Sequence, residues 1–210
     1  MAIVVRRRTA RSFAELAVAA ALATRRCAYR YRVDDRWRDG FDEWWRDSFR
    51  KVCLRADPRE WEDVRRLDHE RVGDVACLPP VYRSERERVL VRMQALSVEA
   101  GPLPEVGSAA PAVLTLVVAT HLGMSAGKMI AQIGHASLLA DWDRGLDPAV
   151  ALRVVGARAD EWSALAGSAS AIVRDGGLTE IAEGSETVLV LRAPVTNGEQ
   201  ERGRSACNES

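Results

Sequence analysis

Lys128, Gln132 and His135 stand at i, i+4 and i+7 within the stretch GKMIAQIGHA. On a helix turning about 100° per residue they form one polar stripe, while Met129, Ile130, Ile133 and Ser137 to Ala140 face largely the other way. Lys128 falls in the first turn, where a cation opposes the helix dipole instead of complementing it. First-turn N–H groups beside an ammonium form a site for an anion. Lys128 and Lys51 are the only lysines among 30 Lys+Arg, so a lysine here departs from the chain's habit. On these residues alone a solvated lysine and a packed, satisfied histidine are the commoner explanations.

The second group is Asp175-Gly176-Gly177, with Thr179 and Thr187 on either side of the loop that follows. A carboxylate that ends a strand commonly closes a turn, bonding its own backbone while glycine takes a positive φ. The run Gly-Met-Ser-Ala-Gly-Lys is not a phosphate-binding Walker loop, because the spacing and the following Ser/Thr are absent. No Ser-His-Asp set or pair of carboxylates can be argued from spacing. Cys27, Cys53, Cys77 and Cys207 form no CxxC pair and no zinc spacing, so no metal is expected and the thiols read as reduced, cytoplasmic ones.

These groups need elements to hold them. Residues 114–120 are a β-branched apolar run and predict a buried strand; 126–142 predict a helix with Ser125 as its cap. Residues 151–157, 170–175 and 186–192 read as strands, and 160–167 as a short helix. The order β-α-β-α-β-β predicts an α/β domain over 112–195, a three-layer sandwich with a mixed four-stranded sheet. Residues 99–111 (EAGPLPEVGSAAP) read as a linker, and 196–210 as a disordered tail.

The first 98 residues repeat part of this order. Strands are expected at 2–5 and 51–56, helices at 10–24 and 58–67, and extended chain at 71–78. At an offset of 101, Ala56 aligns with Ala157, Glu60-Trp61 with Glu161-Trp162, and Asp74 with Asp175. The N-terminal half therefore reads as a diverged, truncated copy in which Asp74 runs straight into a strand with no loop. An unrelated helical unit is the alternative. The arginine run at 6–8 followed by an apolar stretch superficially looks like an export signal; a strand and an amphipathic helix account for it better.

Net charge is zero overall, but residues 112–210 carry 8 Lys+Arg against 12 Asp+Glu, leaving 22 against 18 for residues 1–111. Residues 1–38 hold ten arginines against Glu15, Asp34 and Asp35. A nucleic-acid partner would thus find its phosphate contacts at the start of the chain, with Arg6, Arg7, Arg8 and Arg11 leading. No apolar run is long enough to span a bilayer.

Two stretches carry a family resemblance. TLVVATHLGMSAGKMIAQIGHASLLA (115–140) and RDGGLTEIAEGSETVL (174–189) resemble, in order and separation, the two signatures of the peptidyl-tRNA hydrolases shared by archaea and eukaryotes. The resemblance implies hydrolysis of the ester between a peptide and the tRNA 3′ ribose, without a cofactor. It implies catalytic roles for Lys128, Asp175, Thr179 and Thr187 and supporting roles for Gln132 and His135. It also implies pairing of two copies, here as an internal pseudo-dimer or a homodimer. The chain departs from the family at Ala119, His121 and Ala126, where charged residues are usual, and at Gly176 and Glu183. The loss of cations favours a competing reading, a non-catalytic RNA-binding or regulatory paralogue. A third reading, partner binding by the tryptophan-rich segment 37–61, competes with simple core packing of those rings.

Overall fold

Ser12 and Glu15 start the first long helix by bonding reciprocally to each other's backbone N–H groups. Ser125 starts the second by accepting from the Lys128 N–H, and Asp57 starts a shorter one with Pro58 in the first position. The computed structural model describes residues 1–107, 112–142, 145–177 and 180–193. In chain order the elements are β1 (Ala2–Arg6), α1 (Phe13–Tyr31), α2 (Arg38–Glu43), β2 (Val52–Ala56), α3 (Pro58–Val64), β3 (Glu70–Val72), β4 (Val75–Leu78), α4 (Arg88–Arg92) and β5 (Gln94–Ala95). The second half follows with β6 (Leu114–Ala119), α5 (Ala126–Leu139), β7 (Leu152–Ala157), α6 (Ala159–Ala166), β8 (Ala171–Arg174) and β9 (Glu186–Arg192). No helix among the described residues is long and apolar enough to cross a membrane.

The protein is a mixed α/β structure with two mixed sheets. The C-terminal sheet runs β7-β6-β9-β8, and the N-terminal sheet runs β3-β4-β1-β2-β5. The alternative of a purely helical first half is thereby excluded. In each half the first two strands pair parallel and the other contacts are antiparallel. The registers coincide as well: Arg6 lies opposite Ala56 as Ala119 lies opposite Ala157, and Val72 opposite Val75 as Val173 lies opposite Val188. A two-residue turn, Gly73-Asp74 with Gly73 at φ +56°, joins β3 to β4 where eleven residues separate Arg174 from β9.

Helices α1 and α5 share the layer between the sheets. Ala17 and Ala21 of α1 pack with Ile133 and Ala136 of α5 onto the inner face of the second sheet. Ile130 and Leu138 of α5 join Ala20, Ala23 and Cys27 of α1 on the inner face of the first. The outer faces are covered by α3 and α4 through Trp61 and Leu90, and by α6 through Trp162. The C-terminal half is thus helix, sheet, helix, as the order of its elements requires.

Several expectations are corrected. Helix α1 runs to Tyr31, seven residues past Thr24, because the charge that ends the apolar stretch, Arg25, is buried and satisfied. Its Nη2 pairs with Asp141 at 2.5 Å, its Nη1 donates to the Ser137 carbonyl at 2.5 Å and its Nε to the Asp147 carbonyl at 2.9 Å. Burial lowers the guanidinium to about 10, which leaves it charged at neutral pH. Arg192 also pairs with Asp141. Helix α5 ends at Leu139, and Trp142 instead stacks on Trp45 with ring centroids 3.7 Å apart. The segment 99–107 is not a free linker: Leu103 packs against the second core and the Pro104 carbonyl accepts from Gly156 N–H at 2.9 Å. A Cβ at Gly156 would stand 2.7 Å from the Thr120 side chain and 3.4 Å from Leu103, so it is Thr120 that crowds this glycine. The tail after residue 195 lies outside the described residues.

Arg25→Met should lower stability by about 3 kcal/mol, since breaking a buried pair leaves the partner's charge undercompensated. Urea denaturation checks this, and a loss below about 1 kcal/mol would show that the buried guanidinium contributes little to joining the halves.

Candidate functional site

Strand β8 ends at Arg174 and delivers Asp175 to the mouth of a cavity of about 620 Å³ beside α5. The chain turns there because Gly177, at φ +68°, lets its own N–H reach back to Asp175 Oδ1 at 2.8 Å. Lys128, in the first turn of α5, reaches Asp175 Oδ2 at 2.5 Å, and Gln132 Nε2, one turn on, donates to the same oxygen at 2.5 Å. Residues 43 to 47 positions apart in sequence thus converge on one carboxylate. The side chains of Lys128 and Asp175 are 11% and 4% exposed, so this pair sits in a medium where charge pairing is strong. Asp175 thus closes a turn and pairs with Lys128 at once.

The helix start does not receive an external anion. Glu180 accepts from Ser125 N–H and Oγ at 2.8 and 2.7 Å. The Leu96 and Val98 carbonyls take Gly127 N–H and Ala126 N–H at 2.8 and 2.9 Å, and Ser125 Oγ takes Lys128 N–H. Every first-turn donor is therefore occupied by the chain itself, which overturns the expected backbone anion site. The segment after β5 has come close enough that a Cβ on Gly127 would stand 2.2 Å from the Leu96 oxygen. Glu180 carries no sequence signal of this role, since its partner lies 55 residues away.

His135 lines the same cavity, two turns from Lys128. Its Nδ1 lies 3.3 Å from Lys51 Nζ, and its ring meets Phe49 edge-on at 4.6 Å. Burial, and then the charge of Lys51, hold the imidazole well below its ordinary 6.5, so it is neutral and Nδ1 accepts from the amine. Lys51, Phe49 and Arg50 come from the N-terminal half. The cavity wall holds four cations, Arg50, Lys51, Lys128 and Arg174, against Asp175 and Glu180. Sequence reasoning singled out Lys51 only as the other lysine; nothing in its neighbourhood in the chain pointed to α5.

The remaining predicted residues lie elsewhere. Thr187 is fully buried and donates to the Val173 carbonyl at 3.2 Å, within the sheet and away from the cavity wall. The β8–β9 register shifts at that point, Val173 pairing with Val188 and Arg174 with Glu186, so Thr187 is left out of the ladder and its hydroxyl bonds across to β8 instead. Thr179 lies outside the described residues. Arg6 and Arg11 pair with Asp74 and Glu15, and Arg11 borders a second cavity of about 420 Å³ formed by α1, the β3–β4 turn and β7. The arginine run 6–8 begins at the last residue of β1, and neither it nor Arg11 borders the Lys128 cavity. Ala119 packs in the outer core, and His121 meets Trp162 edge-on at 6.1 Å. Trp44 and Trp61 are buried, so the aromatic-rich segment fills the interior. Among the described residues no group of three or more His, Cys, Asp and Glu is placed to hold a metal.

The two cavities occupy matching places in the two halves. By register and cap position, Glu15 stands where Lys128 does, Ala19 where Gln132 does and Leu152 where Lys51 does. The polar set belongs to one cavity only. The fold and this site define the chain as a two-sheet α/β protein with a single ion-paired lysine–carboxylate pocket. No family model matches the chain, and neither a curated protein nor a solved structure matches it.

Between the depressed value of His135 and 6.5 the unfolded chain binds a proton that the native protein does not. Stability should therefore fall on acidification below about pH 6.5, by up to about 1.4 kcal/mol per pH unit for this one group. Denaturation midpoints from pH 7 to 5 should show a shallower slope in His135→Gln; identical slopes would mean that the imidazole is not held neutral.

Proposed function

We propose that the chain is an ester hydrolase acting on acylated RNA, cleaving the bond between a peptide or N-blocked amino acid and the 3′ end of tRNA, as the resemblance to peptidyl-tRNA hydrolases implies. The observation that carries this reading is the convergence of Lys128, Gln132 and Asp175 in one cavity. A carboxylate offers about four acceptor positions, and among the described residues three donors hold Asp175, so that a further position can orient an attacking water. Lys128 is the group placed to stabilise the developing oxyanion, since the helix N–H groups are occupied. Gln132 keeps the carboxylate in place, and His135 supports the geometry without transferring protons. Thr187 has no direct part, a revision of the role implied by the resemblance.

The matching strand order and register of the two sheets support a further reading, that the N-terminal half is a diverged copy and that the chain is its own pseudo-dimer. The added half offers Arg50 and Lys51 to the cavity in place of cations that the family usually keeps near Ala119 and Ala126. A second function is favoured by a specific observation: with Thr187 turned inward and the first-turn N–H groups filled, fewer groups face the cavity than catalysis would use. That reading is an RNA-binding paralogue without turnover.

The test is release of free tRNA from an N-blocked aminoacyl-tRNA. Asp175→Asn and Lys128→Ala should each lower kcat/KM by roughly 10²- to 10³-fold. Tight RNA binding without release in the native chain establishes the non-catalytic reading instead, and hydrolysis unaffected in Asp175→Asn removes the water-orienting role.

A further inference from the structure

Both lysines of the chain border the same cavity, one from each half. They differ in how their charge is met. Lys128 is neutralised at 2.5 Å by Asp175. Lys51 has no carboxylate partner among the described residues; its amine meets the neutral His135 at 3.3 Å and the faces of Phe49 and Trp44 at 4.1 and 4.6 Å. Aromatic faces and an imidazole nitrogen attract a cation without cancelling its charge.

The backbone is bent to achieve this. A single π-helical turn, Trp44–Ser48, ends on Phe49 at φ +41°, a left-handed conformation that costs a bulky residue about 1–2 kcal/mol. The turn brings Phe49 over the amine and sets Lys51 at the start of β2, against α5. A Cβ at Gly134 would stand 3.2 Å from the Lys51 stem, so α5 leaves room for it. At the matching place in the other cavity the chain has Leu152, so the strand position itself has no need of an amine.

We infer that Lys51 is the anion-receiving group of this cavity, its amine held by His135, and that it takes an oxyanion of the ligand, a phosphate or a carboxylate. Charge balance favours this occupant: of the four cations on the wall, Lys128 is met by Asp175 and Arg174 by Glu186, which leaves Arg50 and Lys51 against Glu180, a carboxylate already engaged by Ser125. The groups facing Lys51 are His135 of α5, Cys27 of α1, Cys77 of β4, the buried amino terminus of Met1 and, beside it in the chain, Arg50. Burial is the main cause that brings its amine down to about 7, against small opposing effects of the two thiols. An arriving oxyanion favours the protonated amine, so above about pH 7 binding takes up a proton and weakens by about tenfold per pH unit. The inference concerns the cavity alone and is separable from ester hydrolysis.

The full chain labelled with ¹³Cε-lysine gives two lysine signals, assigned with Lys51→Arg and Lys128→Arg. Sulfate represents a phosphate-like oxyanion and acetate a carboxylate; both keep a constant charge above about pH 6. The Lys51 signal should titrate near 7 in the free protein. Its midpoint should rise by roughly one unit or more with one of the two anions while that of Lys128 stays in place. The anion with the larger effect names the source. Calorimetry should show Lys51→Met binding that anion at least about tenfold more weakly. A Lys51 midpoint unmoved by either anion, read in the native chain and so independent of any variant's folding, overturns the inference, as does native-like binding by Lys51→Met.

Discussion

The shared layer formed by α1 and α5 is the constraint on which the molecule rests. Each helix covers its own sheet and also an edge of the other, Ala17 and Ala21 reaching into the second core while Ile130 and Leu138 reach into the first. Small side chains at the contact let the two backbones approach. Gly134 has Ile3, Lys51 and Thr24 within 3.0 to 3.3 Å of where a Cβ would stand. Arg25 then ties the far ends through Asp141, Ser137 and Asp147, all from the opposite half.

This sharing makes the cavity a property of both halves. A lone C-terminal unit would supply Lys128, Gln132, His135 and Asp175 but would leave His135 without the amine and the ring that now cover it. The segment after β5 does similar work at the start of α5, where its carbonyls occupy Ala126 and Gly127 and close the helix end to outside anions. Negative charge entering the cavity is thereby steered from the helix start toward the side where Arg50 and Lys51 stand.

The near-equivalence of the two halves also separates scaffold from site. Residues that match by register, such as Ala56 and Ala157 or Trp61 and Trp162, lie in cores. Residues that fail to match line the cavity: lysine against glutamate at 128 and 15, glutamine against alanine at 132 and 19, lysine against leucine at 51 and 152. Packing demands similar apolar volumes in both sheets, whereas a polar pocket is needed once.

The elements were legible in the sequence because periodicity is local. The strands from Leu114 to Arg192, the Ser125 cap and the stripe of Lys128, Gln132 and His135 follow from spacing of two and 3.6 residues. Only tertiary structure decided the partners. It buried Arg25 where composition ended a helix, filled the α5 start with Glu180, turned Thr187 into the sheet, placed Arg11 on the other cavity and brought Lys51 to His135 across 84 residues. The physical reason is the same in each case. A side chain's chemistry depends on which charges and which water surround it, and those are set by contacts between segments that a linear pattern does not relate.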